Sequence, residues 1–168
     1  TPSHAQMHIA ETASGGLPKA PPGRLARLED ALSHRVRPAR PLRSEGEMHR
    51  AAFEAALQLG CLCVPGGGMS SEARLGAVHH HAIQVLCCTP TYAIRLAEAA
   101  AENGLDLADS PVRKIIVAGE PGGSIPQVRQ RIENLWPGSK IFDHHGMTEV
   151  GPVTFQTEDH PEFLQVIE

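Results

Sequence analysis

The segment Phe142–Gly151, Phe-Asp-His-His-Gly-Met-Thr-Glu-Val-Gly, concentrates the side chains best suited to chemistry. Two carboxylates, two imidazoles and a hydroxyl stand within residues 143–149. The hydroxyl of Thr148 can bind a phosphate oxygen, and the carboxylate of Glu149 suits Mg²⁺, which prefers oxygen ligands. A polar turn rich in helix-capping residues is the structural alternative. The segment therefore predicts either a phosphate and metal site or a capped turn.

Two upstream loops of unusual composition also follow apolar runs. One is Cys88-Thr-Pro-Thr-Tyr-Ala, and the other is Gly119-Glu-Pro-Gly-Gly. The glycine-rich loop exposes backbone, so a flat ring could lie against it, although a flexible connection is the alternative. In the first loop, Tyr92 could line a pocket or be an ordinary buried tyrosine. Each loop is thus a candidate binding element.

The elements that must position these loops follow from apolar runs. Buried strands are predicted at Ile83–Cys88, Lys114–Ala118 and Lys140–Phe142, with helices between them. This alternation predicts an α/β fold, a parallel sheet with flanking helices. Such sheets bind ligands outside the carboxyl ends of their strands. We therefore expect the loops Thr89–Tyr92, Gly119–Gly123 and Asp143–Glu149 to converge on one edge.

Further elements are predicted from shorter patterns and from capping residues. Cys61–Pro65 indicates another strand, and Val153–Phe155 one of different orientation. Thr89 and Pro90 are typical of a helix start. Ser124 and Gln127 match a capping box for the next helix.

The first part of the chain differs in composition. Thr1–Arg43 contains six prolines and no aromatic residue, and it is expected to be poorly structured or linker-like, without a buried strand. Within it, Thr12–Lys19 combines hydroxyls, glycines and a lysine, a composition that can cradle phosphates. No predicted strand precedes this tract, so a flexible linker is favoured.

The net charge and the apolar content of the chain limit the kinds of partner that it is expected to bind. Residues 51–168 carry seven Lys/Arg against fourteen Asp/Glu, which argues against nucleic-acid binding. No apolar run approaches the roughly 20 residues that span a membrane. No charged-then-apolar leader is present, so a cytoplasmic location is expected.

The residues that most often bind metals have unsuitable spacing here. The cysteines occur as Cys61 with Cys63 and Cys87 with Cys88, which match no zinc motif and lie in apolar runs. They are expected to be reduced and structural. The run His79–His81 lies at a predicted helix end, where adjacent residues point in different directions, so solvated histidines are expected.

Taken together, three motifs resemble the adenylate-forming (AMP-binding) enzymes, in the phenylacetate–CoA ligase branch. Asp143–Glu149 is similar to the signature Tyr-Gly-x-Thr-Glu, Ile115–Pro121 to the Gly-Ala/Glu-Pro loop, and Cys88–Ala93 to the Thr-Pro-Ser/Thr-Tyr segment. The resemblance covers roughly residues 51–168. It implies that residues 44–168 form an incomplete α/β nucleotide-binding subdomain of the large N-terminal domain of such an enzyme.

The resemblance implies roles for individual residues. The implied nucleotide-binding set is Gly119, Glu120, Pro121, Asp143, His144, His145, Gly146, Met147 and Thr148. Thr148 and Glu149 are implied to be catalytic, with Glu149 holding Mg²⁺. His145 stands where the superfamily often has a tyrosine packed against adenine, and His145 and Tyr92 are implied to contact the acyl substrate.

The implied reaction has two steps. A carboxylic acid, an aryl acid such as phenylacetate, attacks ATP to give an acyl-adenylate, and coenzyme A then takes the acyl group. The sequence lacks a convincing phosphate loop and the C-terminal lid with its lysine, so we expect a fragment with weak or no complete catalysis. A noncatalytic remnant with at most a nucleotide-binding surface is the alternative. A dinucleotide-binding oxidoreductase is disfavoured because no Gly-x-Gly-x-x-Gly follows a strand.

Overall fold

A computed structural model describes residues 7–10, 53, 56–147 and 151–166 of the 168-residue chain. Within these ranges one sheet has seven strands in the spatial order β2-β1-β3-β4-β5-β6-β7. The strands are β1 (Met7–Ala10), β2 (Leu62–Pro65), β3 (Val85–Cys88), β4 (Lys114–Val117), β5 (Lys140–Met147), β6 (Gly151–Phe155) and β7 (Gln165–Val166).

The centre of the sheet is parallel, as the sequence predicts. β3 pairs in parallel with β4, and β4 with β5. Antiparallel pairs complete the sheet on both sides: β2 with β1 and β1 with β3 on one, β5 with β6 and β6 with β7 on the other. The α/β fold with a parallel sheet and flanking helices is confirmed, and the antiparallel orientation of the strand around Val153–Phe155 agrees with its prediction.

Strand β1 is an interior strand of the sheet and lies in Thr1–Arg43, whose composition predicts a poorly structured stretch without a buried strand. Ile9 pairs with Cys63 on one side and with Val85 on the other. A strand of four residues gives too short a pattern to be recognised in a proline-rich stretch. It forms because two neighbouring strands supply backbone hydrogen-bond partners, which local β propensity does not reflect. The rest of that stretch, including Thr12–Lys19, lies outside the described residues.

Three α-helices connect the strands in the described part of the chain: α1 (Ser71–His80), α2 (Pro90–Glu102) and α3 (Pro126–Leu135). A 3₁₀ turn, Leu107–Asp109, follows α2. The cap predicted at Thr89 is confirmed, because its hydroxyl accepts the backbone N–H of Tyr92 at 3.2 Å. Gly104 ends α2 with a φ of +69°, in the left-handed region that favours glycine. None of the described helices is both long enough and apolar enough to cross a bilayer.

The predicted capping box at the start of α3 is wrong. The residue before the helix is Ile125, and no side chain caps the first turn. Pro126 occupies the start of the helix, where its missing N–H costs nothing. The hydroxyl of Ser124 instead donates to the carboxylate of Asp143, with the two oxygens 2.5 Å apart. Ser124 therefore binds Asp143 of β5 and does not cap the helix.

Both faces of the central strands are covered. Leu86 packs among α-helical side chains in the main core, whereas Val85, on the opposite face, packs with Cys61, Cys63 and Ala56. The largest buried side chain is Trp136, whose indole N–H donates to the Ala93 carbonyl at 3.0 Å. This bond ties the end of α3 to α2 and holds the two crossover helices at a fixed spacing beneath the loops.

The four cysteines lie in or beside this core as thiols without a disulfide bond. Burial, and secondarily a neighbouring cysteine, raises the pKa of Cys63 to about 11 and that of Cys87 to about 12. Burial also raises the pKa of Cys88. Because the thiolate is the nucleophile, we expect almost no alkylation of these thiols by iodoacetamide at about pH 8 in the folded protein. Mass spectrometry after quenching measures this, with the urea-unfolded protein as the fully labelled control. Rapid labelling of the folded protein would contradict the placement.

Candidate functional site

The loops after β3 and β4 and the residue Asp143 of β5 meet at one edge of the sheet. The carboxylate of Glu120 accepts the backbone N–H of Thr91, with an oxygen–nitrogen distance of 2.6 Å. The Ser124 to Asp143 bond joins the segment after β4 to β5. The convergence predicted from strand order is therefore observed for the loops after β3 and β4 and for Asp143, the first residue of the third predicted loop. We call this region the loop edge.

Two glycines let the backbones approach closely at the loop edge. A Cβ added to Gly123 would lie 2.4 Å from Val117 Cγ2 and 2.6 Å from Asp143 Cγ. A Cβ on Gly122, whose φ is +155°, would lie 2.8 Å from Pro90. No side chain larger than hydrogen fits either position without displacing a neighbour. The glycine-rich loop thus packs tightly and is not merely a flexible connection.

The backbone N–H, the backbone carbonyl and the carboxylate of Asp143 are all hydrogen-bonded. Its backbone N–H donates to the Gln156 side-chain oxygen at 2.8 Å, and its carbonyl accepts the Gln156 backbone N–H at 3.0 Å. Its carboxylate accepts the Ser124 hydroxyl. Gln156 is buried, donates to the Pro161 carbonyl at 2.8 Å, and also accepts a bond from Arg129. We call Ser124, Arg129 and Gln156 the Asp143 brace; sequence reasoning missed it because its members lie far apart in the chain.

Strand β5 is longer than predicted. The sequence placed a loop from Asp143 onward, but the strand continues through Met147 and pairs His144 with Phe155 and His145 with Thr154. A bulge between His145 and Gly146 bends it near its end. The extension forms because β6 supplies backbone partners that a local reading of polar residues does not reveal. The polar residues therefore start on a rigid strand.

The two histidines differ in environment. His144 is partly buried and His145 is exposed. Burial lowers the pKa of His144 below its ordinary value of 6.5; the nearby carboxylate of Asp143 opposes this shift, and His145 adds to it. The neutral imidazole of His144 is therefore favoured at neutral pH.

This shift predicts a pH-dependent stability. On acidification the unfolded chain takes up a proton at His144 before the folded protein does. The stabilising contribution is thus complete above about pH 6.5 and is lost as the pH falls through the lower, folded pKa. We expect the free energy of unfolding of His144→Gln to fall less than that of the wild type between about pH 7 and pH 5. Urea titrations measure it, with His145→Gln as the matched control; equal slopes for all three proteins would contradict the shift.

Tyr92 begins α2 beside the loop edge. Its hydroxyl lies 3.3 Å from the Ser71 hydroxyl and accepts a hydrogen bond from Arg74. The Arg74 guanidinium also lies over the tyrosine ring, 4.9 Å from its centroid. Tyr92 is half-buried: its ring packs against the main hydrophobic core, and its hydroxyl makes the polar contacts.

The remaining predicted residues divide into two groups. Gly119, Glu120 and Pro121 follow β4, and Asp143, His144, His145, Gly146 and Met147 lie in β5, where Asp143 is joined to the segment after β4 through Ser124. Thr148 and Glu149 lie outside the described residues. No three His, Cys, Asp or Glu side chains in the described ranges form a group that could hold a metal ion.

Comparison with known proteins decides the family. The model of the AMP-binding enzyme family matches residues 48–166, well over half of the chain. The chain belongs to the AMP-binding enzyme family. The motif resemblance is thereby confirmed. A phenylacetate-coenzyme A ligase of Pseudomonas putida is 24% identical over 130 residues, which cover 69% of this chain and 29% of that enzyme.

Solved structures give the same fold. A 2-hydroxyisobutyryl-CoA ligase in an open conformation, in complex with 2-HIB-AMP and CoA, superposes with a TM-score of 0.66 at 24% identity. The match covers 94% of this chain and 40% of that one. The same ligase in its thioesterification state gives a TM-score of 0.64 at 23% identity. The AMP-binding chain described here thus spans well under half the length of these relatives.

Proposed function

We propose that the loop edge is part of the nucleotide and acyl site of an acyl-adenylate-forming CoA ligase. The observation that carries the proposal is that the loops after β3 and β4 and Asp143, which opens the third motif, meet at one edge through the contacts of Glu120 with Thr91 and of Ser124 with Asp143. That edge lies at the carboxyl ends of β3 and β4 and at Asp143, which pairs with the last residue of β4; parallel sheets bind ligands at such an edge. The relative with bound acyl-AMP and CoA supports the same assignment.

Each residue set has a proposed task. The loop Gly119–Pro121 borders the adenine, and the exposed imidazole of His145 stacks on it. Thr148 binds a phosphate oxygen, and Glu149 holds Mg²⁺, which would neutralise phosphate charge when bound. Asp143, His144, Gly146 and Met147 complete the nucleotide contacts. Tyr92, with His145, lines the acyl pocket.

For this chemistry the residues need only position the substrates and compensate the negative charge of the phosphates. The substrate carboxylate is already ionised at neutral pH, so no general base is needed for its attack on the α-phosphate of ATP. The bond to pyrophosphate breaks as the acyl–phosphate bond forms. The rigid strand β5 and the braced Asp143 hold the nucleotide in line for that attack. The CoA thiol then displaces AMP from the acyl-adenylate. An arylacetate such as phenylacetate is the first acid to test.

The test is nucleotide binding and pyrophosphate exchange by the full-length protein. We expect calorimetry to show binding of Mg·ATP that Glu149→Ala weakens at least roughly tenfold, because a charged metal ligand is lost. The exposed Glu102→Ala is the matched control and should bind as the wild type does. Exchange of labelled pyrophosphate into ATP in the presence of an acid demonstrates adenylation. Binding without exchange with any acid would favour a noncatalytic remnant, and absence of binding would overturn the proposal.

A further inference from the structure

Arg74 is a buried cation with an unusual set of contacts. Its side chain lies in the first turns of α1, and the residue is 8% exposed. Nε donates to the Gly66 carbonyl at 2.7 Å, and Nη1 donates to the Tyr92 hydroxyl. Among the described residues no carboxylate lies within ion-pair distance of this guanidinium. Its described partners are therefore all neutral.

A buried charge with neutral partners is costly. Desolvation of an ion is compensated well only by an opposite charge, so buried arginines are usually paired with carboxylates or phosphates. A guanidinium carries five N–H donors, and the described contacts use only Nε and Nη1. Nη2 and the second hydrogen of Nη1 are therefore available to donate to a further acceptor. The arrangement suits an anion that reaches Arg74 from outside the described chain.

The position of Arg74 relative to the loop edge follows from the strand register. β1 runs antiparallel to both β2 and β3, so β2 and β3 share a direction, and Pro65 and Cys87 both pair with Met7. The turn after β2 therefore emerges at the loop edge, beside α1. Consistently, the charges of Glu120 and Arg74 both act on the pKa of the Cys88 thiol at the end of β3, Glu120 raising it and Arg74 lowering it.

The turn next to Arg74 has no side chains to shield it. A Cβ added at Gly67 or Gly68 would meet no atom within 4 Å. Ser71 adds a hydroxyl on the other side, 3.3 Å from the Tyr92 hydroxyl. One cation and two hydroxyls thus converge beside an open glycine turn and next to Tyr92, which we place in the acyl pocket.

We infer that Arg74, with the hydroxyls of Tyr92 and Ser71, binds a second carboxylate at the far end of the acyl substrate. The acid activated here is then a dicarboxylic acid: one carboxylate is adenylated, and the other is held by the guanidinium fork, which matches carboxylate geometry. This inference rests on the proposed function, but its binding step can be measured without catalysis.

The experiment compares matched acids on the full-length protein. Calorimetric titrations use 4-carboxyphenylacetate against phenylacetate, and glutarate against valerate, all in the presence of AMP. We expect at least one dicarboxylic acid to bind roughly ten- to a hundredfold more tightly than its monocarboxylic partner, as for a charge-assisted hydrogen bond. Arg74→Met should abolish that preference, and Tyr92→Phe, which keeps the ring, should reduce it.

Controls separate binding from folding. Arg74→Lys retains the charge but not the fork, and it should keep part of the preference; its melting temperature and that of Arg74→Met are measured alongside. Equal binding of the paired acids, no binding of either, or a preference that survives in folded Arg74→Met would overturn the inference. In the first or last case, pyrophosphate exchange with phenylacetate would still uphold the proposed ligase activity. Loss of exchange with every acid, while the binding preference persists, would overturn the ligase and keep the carboxylate site.

Discussion

Replacing Gly123 with alanine is expected to destabilise the protein by about 1–3 kcal/mol, the usual cost of overpacking. The new methyl group would occupy space within 2.6 Å of Asp143 Cγ and within 2.4 Å of Val117 Cγ2. Val117 belongs to the core, so the group that gives way is the Asp143 side chain. We also expect nucleotide affinity to fall at least roughly tenfold, because a misplacement of about 1 Å in a positioning group has effects of that size or larger.

Gly67→Ala is the matched control for this substitution. Gly67 lies in the turn after β2, and an added Cβ meets nothing within 4 Å. Its melting temperature and AMP affinity should equal those of the wild type. Thermal unfolding and calorimetry measure both quantities on the three proteins. If Gly123→Ala were as stable and bound AMP as tightly as Gly67→Ala, the close approach of the glycine loop to Asp143 would be refuted.

The second large effect is expected from Gln156→Leu. The glutamine side chain is 4% exposed and bonds to the Asp143 N–H, the Pro161 carbonyl and Arg129. Leucine fills a similar volume but leaves these polar groups without their partner. Each buried unsatisfied group costs about 1–3 kcal/mol, so we expect a loss of about 3 kcal/mol in the free energy of unfolding.

Urea unfolding measures the effect, and Gln130→Leu provides the control. Gln130 lies on α3 and is exposed, so its substitution should change stability by less than about 0.5 kcal/mol. A second readout is the affinity for AMP, which should fall in Gln156→Leu at a temperature where the variant is still folded. An unchanged affinity in the folded variant would show that the Asp143 brace supports the fold without positioning the loop edge.

The central layout could be predicted because it depends on local patterns. Continuous apolar runs predict β3, β4 and the start of β5, and Thr89 with Pro90 predicts the start of α2. Parallel pairing then brings the following loops to one edge without any knowledge of side-chain contacts. The loop edge was therefore accessible from the sequence alone.

The remaining features depend on contacts between distant residues. Strand β1 and the extension of β5 to Met147 form because neighbouring strands supply hydrogen-bond partners. Ser124 looked like a helix cap, yet its hydroxyl bonds to Asp143, nineteen residues away in the chain. Arg74 belongs to no recognisable sequence motif, and its burial against Tyr92 is evident only from the three-dimensional structure. Side-chain networks of this kind leave no periodic signal that sequence reasoning could detect.

The placement of β1 has a consequence for biosynthesis. Met7–Ala10 leaves the ribosome before β2 and β3, yet it must lie between them, since it pairs with Leu62–Pro65 and with Val85–Cys87. The sheet therefore cannot close in the order of translation, because β1 can complete its pairing only after β2 and β3 have been made. Such long-range pairing slows folding. Until β3 is complete, the side of β1 that pairs with β3 is an exposed strand edge, the kind of edge at which a chaperone or a foreign strand can pair.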